Sequence, residues 1–297
     1  MKKFTVSVVI PNFNGEHLLD KNLPFLLKAE ENPDNNIIEV IVVDDGSVDG
    51  SVKVISSKFP TIKLIKHKIN RGFSAAVNTG VRASSGDLIL LLNTDVIPKE
   101  NFLISVFKHF EDRKVFAVSL HEKGFGWARG IFSDGYIQLA MGDEGSEPHP
   151  SFYVSGGSGV FRREYWMELT GMDEKLFSPF YWEDIDLCYR AAKRGYINLW
   201  EPNGMVIHNH ESTVSKFSKL YVQRIRERNQ LLFIWKDLTS ANLFRKHLAG
   251  LVKRLAIHPG YVRIVLMALR KLGVVIKERS REVKEAKVSD EVIFSRF

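Results

Sequence analysis

Residues 40–47 read Val40-Ile-Val-Val-Asp-Asp-Gly-Ser47, a short apolar run that ends in two carboxylates and a glycine. Two further apolar runs, at 6–10 and 88–92, are equally short and largely uninterrupted. Unbroken runs of β-branched residues and leucine are typical of strands buried on both faces of a parallel sheet, although buried helix shares this pattern. The sequence therefore predicts three such strands in its first third.

The stretches between these runs favour helices. They cover 16–29, 47–58 and 72–83, and in the first of them leucines recur at helical spacing. Strands that alternate with helices imply an α/β layer structure. We predict an α/β fold with a Rossmann-like, mostly parallel central sheet that is flanked by helices.

Polar residues follow each predicted strand. The first strand leads into Pro11 and Asn12, the second into Asp44 and Asp45, and the third into residues 93–95, Asn-Thr-Asp. In an open parallel sheet, ligands bind outside the carboxyl ends of the strands. Such residues also make ordinary turns, but three polar strand ends in one half of the chain favour a shared ligand crevice.

Composition excludes several classes of protein. The chain has 297 residues, of which 44% are hydrophobic and 26% charged, which argues against disorder, collagen-like repeats and low complexity. Cys188 is the one cysteine, so a disulfide framework is excluded and a reducing compartment is expected. The amino terminus lacks a cleavable signal, and no uncharged apolar run approaches the roughly 20 residues that span a bilayer.

Positive charge is concentrated near the carboxyl end. The net charge is +7, and residues 212–297 alone hold 19 Lys and Arg against 7 Asp and Glu. Residues 243–255 and 261–277 mix apolar and basic positions at helical spacing, which predicts amphipathic helices that lie on an anionic membrane surface. The alternative is that these helices pack on the rest of the protein. Packing and membrane binding are compatible with each other. Residues 278–297 mix charges and are expected to fray.

The order of these motifs resembles that in the family 2 glycosyltransferases, which have the glycosyltransferase-A fold. The resemblance runs from about residue 6 to about residue 235, and the stretches that carry it are 7–15, 42–47, 70–80, 86–95, 180–190 and 208–213. It implies a catalytic domain at 1–235, with a nucleotide-sugar half at about 1–97 and an acceptor half at about 98–235. Residues 236–297 form the predicted basic helical extension.

The resemblance assigns the nucleotide pocket. It places Asp45 near the base, with Pro11 and Asn12 lining the same pocket. Asp44 is a weaker assignment, since it equally suits the cap of a helix that begins near Ser47.

A second donor segment opens the third predicted helix. Gly72 has no side chain, so a ligand can approach the backbone closely at this position. The amino end of a helix favours anionic groups. Arg71 is assigned to the diphosphate or the ribose, with an ordinary surface arginine as the equal alternative.

Asn93, Thr94 and Asp95 occupy the place of the Asp-x-Asp metal motif of this family. A hard cation such as Mg²⁺ or Mn²⁺ prefers oxygen ligands and bridges the phosphates of the donor. Asp95 is therefore the expected ligand, whereas Asn93 departs from the pattern and offers only a neutral oxygen. His208 resembles a later metal-contacting histidine of the family, although a lone histidine is more often structural.

The acidic pair Glu183 and Asp184 follows three aromatic residues and begins a predicted helix. By resemblance, Asp184 is the general base that takes the proton of the acceptor hydroxyl, and Glu183 orients the acceptor. Tyr181 and Trp182 are expected to stack on a sugar face. The alternative is that these acids only stabilise the amino terminus of the helix.

The resemblance implies an inverting glycosyltransferase that uses dTDP-rhamnose or a UDP-sugar. The expected acceptor is a saccharide or a lipid-linked saccharide in cell-surface polysaccharide synthesis, at the inner face of the cytoplasmic membrane. Open alternatives are a polyprenyl-phosphate sugar transferase and an inert relative that binds membrane or nucleic acid. Nucleic acid is the less favoured partner, because the basic segment lacks aromatic platforms. A homo-oligomer remains open.

Overall fold

The computed structural model of the protein describes residues 4–209 and 217–297. Within these ranges, nine strands form a central sheet and two more form a separate hairpin. In chain order the strands are β1 (Val6–Asn12), β2 (Ile37–Asp44), β3 (Lys63–Lys66), β4 (Leu88–Leu92), β5 (Val96–Pro98), β6 (Val115–Glu122), β7 (Ala128–Ser133), β8 (Tyr136–Met141), β9 (His149–Pro150), β10 (Ser158–Arg162) and β11 (Ile197–His208). Strands β7 and β8 form the hairpin.

Helices flank the sheet and make up most of the carboxyl-terminal part. They are α1 (Glu16–Glu30), α2 (Ser51–Lys58), α3 (Phe73–Arg82), α4 (Ile104–Phe107), α5 (Arg163–Glu168), α6 (Glu183–Lys193), α7 (Lys219–Asp237), α8 (Ala241–Ile257), α9 (Val262–Leu269), α10 (Leu272–Glu285) and α11 (Asp290–Phe294). The first three correspond to the predicted helices, but α2 begins at Ser51 rather than near residue 47.

The strand order in the central sheet is β3-β2-β1-β4-β10-β6-β11-β5, with β9 paired to β11. The first four strands are parallel, as predicted for the first third of the chain. Strand β10 is antiparallel to β4 and β6, whereas β6 and β11 are parallel, so the sheet as a whole is mixed. Because Ser158 lies opposite Leu92, the glycine-rich segment before β10 reaches the end of β4.

Alternate side chains of the central strands enter two apolar layers. On β4, Leu88, Leu90 and Leu92 pack in the layer that contains α1, whereas Ile89 and Leu91 pack on the opposite face with α3 and α6. Each of these side chains is buried, and full burial of a leucine or isoleucine stabilises the fold by roughly 1.5–3 kcal/mol. Both faces of the strand are thus fixed, which holds its polar end in place.

The carboxyl-terminal helices pack on the rest of the protein. Leu243, Ile264 and Val275 are buried in a third apolar cluster, which also contains Tyr189 of α6 and Phe233 of α7. This face of the extension therefore packs on the rest of the protein, which is one of the two possibilities that the sequence left open. Helix α7 runs continuously across residue 235, where the sequence places the start of the extension.

The expectation that residues 278–297 fray is wrong. Lys193 Nζ lies 2.9 Å from Asp290 Oδ1, and both side chains are fully buried. The backbone N–H groups of Lys287 and Val288 donate to the Lys193 carbonyl oxygen at 2.8 and 3.0 Å. The acids of this segment dock because the end of α6 presents Lys193 and Arg194, the latter paired with Glu282. No helix in the described part of the chain is long and apolar enough to cross a membrane.

Candidate active site

The polar ends of β1, β2 and β4 meet around one cavity of about 190 Å³. Residues of all three strand ends and of the loop before α3 line it, together with three residues from later in the chain. The lining residues are Pro11, Asn12, Phe13, Asp45, Asn70, Gly72, Phe73, Ala76, Asn93, Thr94, Asp95, Pro179, Phe180 and Phe217. The cavity brings together seven of the nine positions that the sequence assigned to the donor.

Asp45 anchors the loop that enters α3. Its carboxylate accepts hydrogen bonds from the backbone N–H groups of Arg71, at 3.0 and 3.1 Å, and of Gly72, at 2.7 Å. His67 Nδ1 lies 2.6 Å from Asp45 Oδ1, and the opposite ring nitrogen lies 3.1 Å from the Thr79 hydroxyl. Gly72 has a φ of 91°, a conformation that disfavours other residues. Asp45 therefore sets the shape of this cavity wall.

Asp44 supports the end of β1 and does not cap a helix. One carboxylate oxygen accepts from Asn12 Nδ2 at 2.8 Å, and the other accepts from the Ser47 N–H at 3.1 Å. The alternative that Asp44 caps a helix is wrong, because the chain continues as a turn until Ser51, whose N–H donates to Asp49. Asp44 is buried behind Asn12 and is not among the residues that line the cavity.

The Arg71 side chain points away from the cavity. Its guanidinium lies 3.1 Å from Glu174 Oε2, and 46% of the side chain is exposed. Only the backbone N–H of Arg71 faces the site, through its hydrogen bond to Asp45. In this arrangement Arg71 is a surface arginine, which is the second of the two possibilities given for it.

The structure brings the two predicted metal ligands together. Asp95 Oδ1 lies 3.3 Å from His208 Nε2, and the other ring nitrogen of His208 lies 3.1 Å from Glu122 Oε2. Burial acts to lower the pKa of His208, but Asp95 and Glu122 outweigh it, so this pKa is raised. The remaining residues of the 208–213 motif, apart from Asn209, lie outside the described residues.

Asn93 packs over the glycine-rich segment. Its backbone N–H donates to the Gly157 carbonyl oxygen at 2.9 Å. A β-carbon at Gly157 would collide with the side-chain amide of Asn93. Only glycine therefore lets this segment approach the end of β4 so closely.

Asp95 and His208 fit a divalent cation whose other ligands come from outside the protein. Their separation of 3.3 Å suits two neighbouring ligands of one ion. Across the described residues, no group of three or more His, Cys, Asp and Glu side chains could hold a metal. Cations that bridge phosphates commonly take only one or two protein ligands, with phosphate oxygens and water completing the shell.

Glu183 and Asp184 lie at the amino end of α6, as predicted. Asp184 accepts hydrogen bonds from the N–H groups of Gly156, at 3.3 Å, and Ile185, at 2.8 Å. Burial raises the pKa of Asp184, and these hydrogen bonds only partly oppose it. A β-carbon at Gly156 would lie 3.3 Å from the Phe73 ring, which lines the cavity. Asp184 is therefore close behind the cavity wall.

Glu183 has the least favourable surroundings for a charged carboxylate among the acids of this turn. Its Oε2 atom is buried and has no hydrogen-bond partner among the residues that the structure describes. Burial, followed by the charges of Asp184 and Asp186, raises the pKa of Glu183 well above its usual range. Asp186 differs, because Arg190 and Lys236 outweigh burial and lower its pKa.

The expectation that Trp182 stacks on a sugar is wrong. Only 3% of Trp182 is exposed, and its ring packs on Phe233 with the centroids 5.2 Å apart. Tyr181 and Trp182 both have positive φ values, 71° and 77°, and this turn directs the Trp182 ring into the core. Tyr181 is partly exposed and lies under the Arg226 guanidinium, at 4.6 Å from the ring centroid.

Two residues that shape the site were not predicted. His67 holds Asp45, and Asn229 of α7 donates to the carbonyl oxygens of Phe177, Phe180 and Tyr181 at 3.0, 3.0 and 2.8 Å. Asn229 is fully buried. No motif marks either residue, because each contact joins positions that are far apart in the chain. The nearest signal for Asn229 is a polar Arg-Asn pair just before the apolar second half of α7.

Residues 7–170 match the family model described as glycosyl transferase family 2, and the chain belongs to this family. A similar curated protein is the pre-mycofactocin glycosyltransferase of Mycobacterium tuberculosis, which is 32% identical over 185 residues. That match covers 59% of this chain and 38% of the relative, so the chain corresponds to well under half of that protein. The N-acetylglucosaminyl-diphospho-decaprenol L-rhamnosyltransferase of the same organism is 26% identical over 234 residues, which cover 66% of this chain and 72% of the relative.

Solved structures agree on the architecture. GalNAc-T7 with UDP, GalNAc and Mn²⁺ superposes with a TM-score of 0.63 at 16% identity, over 87% of this chain and 57% of that chain. At this level of identity the likeness concerns the fold alone. The protein has the glycosyltransferase-A fold, with the helical extension at its carboxyl end, as the sequence predicted.

Proposed function

We propose that the protein is an inverting glycosyltransferase that moves a sugar from a nucleotide-diphosphate donor to a saccharide or lipid-linked acceptor in cell-surface polysaccharide synthesis. The observation that carries the proposal is the convergence of Asp45, Gly72, Asn93 and Asp95 on one cavity, with His208 3.3 Å from Asp95. In a member of glycosyl transferase family 2, such a set suits a nucleotide, a diphosphate and a cation.

In this proposal the nucleoside binds along the ends of β1 and β2. Pro11 offers a flat apolar edge to a base, and Asn12 offers a side-chain amide. The loop that Asp45 binds, before α3, offers backbone groups to a base or a ribose. The amino end of α3 and residues 93–95 face the diphosphate. A donor of the dTDP-rhamnose or UDP-sugar type is supported by the names of an L-rhamnosyltransferase relative and of a UDP-bound structural neighbour.

Asp95 and His208 would hold Mg²⁺ or Mn²⁺, with Asn93 close by. When bound, such an ion neutralises negative charge on the leaving diphosphate. A mixed carboxylate and imidazole pair suits Mn²⁺ better than Mg²⁺, because Mg²⁺ prefers oxygen ligands throughout.

Asp184 is the proposed general base. The acceptor hydroxyl attacks the anomeric carbon from the face opposite the diphosphate, the bond from carbon to phosphate oxygen breaks, and the hydroxyl proton passes to Asp184. The raised pKa of Asp184 makes it a stronger proton acceptor than an exposed aspartate. Glu183 and Tyr181 lie beside it and are proposed to orient the acceptor.

We further propose that the extension attaches the enzyme to an anionic membrane. Its outer face exposes apolar side chains among basic ones, with Val252 68% exposed, Leu266 53% and Ile276 58%. Exposed apolar and basic side chains on neighbouring helices suit a membrane interface. The packing of the inner face on the body is compatible with this role.

Nucleotide binding tests the proposal directly. The thermal stability of the wild-type protein should rise with UDP or dTDP, and rise further with Mn²⁺. The variant Asp95→Asn should lose most of the additional stabilisation by Mn²⁺, because it lacks the carboxylate ligand of the ion. The variant Asp34→Asn, a change at an exposed loop position, is the matched control. A protein that no nucleoside diphosphate stabilises, or an Asp95→Asn variant that behaves like wild type, contradicts the proposal.

A further inference from the structure

A second cavity lies beside α7, outside the site already described. It has a volume of about 560 Å³ and is formed by the first half of α7, the end of α8 and the start of α9. Its polar lining consists largely of Arg224, Arg254, Arg263 and His258, with Glu227 as the acid among them. A concave site with three guanidinium groups and one carboxylate carries a net positive charge.

Arg254 is already held in place. Its guanidinium lies 3.5 Å from Glu227 Oε1 and 4.2 Å from the centroid of the Tyr261 ring. The Glu227 carboxylate is engaged further by Gln223, at 3.1 Å. The one acid of the cavity is therefore committed to Arg254 and Gln223.

Arg224 and Arg263 have no such partners. Neither makes an ion pair, a side-chain hydrogen bond or a ring contact with any residue that the structure describes. Two guanidinium groups that face one cavity without a counter-charge favour a ligand with several anionic oxygens, because each can bind a phosphate in a bidentate manner.

Ring contacts at the start of α7 connect this cavity with the donor cavity. Leu220 lines the cavity, while the next residue, Tyr221, packs on Phe217 with the ring centroids 5.5 Å apart. Phe217 and Phe180 in turn line the donor cavity and contact each other at 5.6 Å. The first turn of α7 thus separates the two cavities, with one on each side.

Exposed apolar side chains accompany the basic residues of this cavity on α7 and α9. Leu220 is 55% exposed, Val262 49% and Leu266 53%. An anion site bordered by exposed aliphatic groups suits a phosphate that is attached to a hydrocarbon chain more than a free one.

We propose that this cavity binds the phosphate or diphosphate group of a lipid-linked acceptor and so positions its sugar across the first turn of α7. The inference rests on the proposed function for the identity of the acceptor. Arg224 and Arg263 bind the anionic oxygens, Arg254 completes the charge, and the exposed aliphatic rim contacts the lipid.

Vesicle binding tests the assignment. The probes are phosphatidylcholine vesicles that contain a polyprenyl diphosphate, and vesicles with the same surface charge supplied by phosphatidylglycerol. The wild-type protein should bind the diphosphate vesicles about tenfold more tightly, and the double variant Arg224→Gln/Arg263→Gln should lose this preference. The double variant Arg245→Gln/Arg270→Gln removes two exposed arginines of the same extension outside the cavity, and it should keep the preference.

Three results would overturn the proposal. Equal binding to both kinds of vesicle, or equal losses in the two double variants, would mean that the cavity belongs to a general basic surface. We also expect inorganic pyrophosphate to inhibit the binding of diphosphate vesicles by the Asp95→Asn variant, in which the proposed metal site is weakened. If this variant binds pyrophosphate but not the diphosphate vesicles, the ligand of the cavity is a free anion instead. Nucleotide stabilisation of the two double variants should equal that of the wild-type protein, so a failure of the proposed function is recognised separately.

Discussion

Glu183, Asp184 and Asp186 share the first turn of α6 but have different electrostatic surroundings. Asp186 is neutralised by Arg190 and Lys236, whereas Glu183 and Asp184 are buried and pair with no cation in the described part of the chain. A helix amino terminus alone would favour charge on all three acids. The raised pKa values of the first two are consistent with the proposed catalytic role of this pair.

The variant Asp184→Asn tests that role. It keeps the shape of the side chain and removes the proton acceptor, so turnover should fall roughly 10²- to 10⁴-fold, while nucleotide stabilisation should be retained. Product formation under saturating donor measures the effect. Asp112→Asn, at an exposed position, serves as the control. Full activity of Asp184→Asn would show that the base is another group.

The pH dependence of turnover gives the same residue a second readout. A base must be deprotonated to act, and the raised pKa of Asp184 shifts its protonation to higher pH. Activity should therefore fall as the pH drops through this raised pKa, at a higher pH than for an exposed aspartate. Glu183 and Asp184 titrate as a pair, so the profile reports both. Residual activity of Asp184→Asn should lack this acid limb.

Single residues were predicted well where a strand end fixed their place. Asp45 lies in the cavity because it directly follows β2, and Asp95 because it lies in the short turn that follows β4. The sequence left the role of Arg71 open between two alternatives and gave the wrong direction for the Trp182 side chain, for another reason. The direction of each depends on a distant partner, Glu174 for Arg71 and Phe233 for Trp182, which local sequence does not reveal.

At the scale of elements, α7 organises the loop that precedes α6. Asn229 alone donates to three carbonyl oxygens of that loop, and Arg228 donates to a fourth, that of Ser178, at 2.7 Å. The same loop provides Pro179 and Phe180 to the donor cavity. The helix therefore links the donor side to the proposed base.

Replacing Asn229 should disturb this link. Asn229→Ala leaves three carbonyl groups without their donor, and one unsatisfied buried group costs about 1–3 kcal/mol. We expect a lower free energy of unfolding in urea and weaker nucleotide binding by the folded fraction.

The neighbouring residue provides the control. Gln230→Ala removes a donor to the Ile137 carbonyl oxygen on β8, outside this loop. It should lower stability without weakening nucleotide binding. If folded Asn229→Ala binds nucleotide as tightly as wild type, the loop does not depend on this residue.

Elements of the first half of the chain were easier to predict than those of the second. The strands β1, β2 and β4 and the helices between them follow from apolar runs and helical spacing. Strand β10 follows a glycine-rich segment, and its antiparallel insertion between β4 and β6 gives no periodic signal. Strand direction depends on long-range pairing, which a local pattern does not encode.

At the scale of the whole molecule, the extension completes the core and is not an appendage. Asp290 accepts from the Tyr189 hydroxyl at 2.6 Å and pairs with Lys193, so the end of the chain is tied to the helix of the proposed base. The amphipathic spacing of the extension predicted its helices. It did not predict their docking, because the counter-charges on α6 are about a hundred residues away.

Asp290→Ala should therefore be strongly destabilising. It leaves Lys193 buried without its carboxylate, and breaking one side of a buried ion pair costs about 3–5 kcal/mol. Asp20→Ala removes the partner of Lys58 in an exposed pair and should cost at most about 1 kcal/mol. Urea unfolding of both variants measures the difference. Similar losses would mean that Asp290 contributes no more than a surface charge.

Cys188, the one cysteine of the chain, lies inside α6 and is fully buried. Burial raises the pKa of its thiol, which keeps it unreactive at neutral pH. A cysteine introduced at an exposed position such as Val252 or Ile276 would be the single site for maleimide labelling. A polarity-sensitive fluorophore attached there would report by its emission colour whether this face of the protein enters a lipid bilayer.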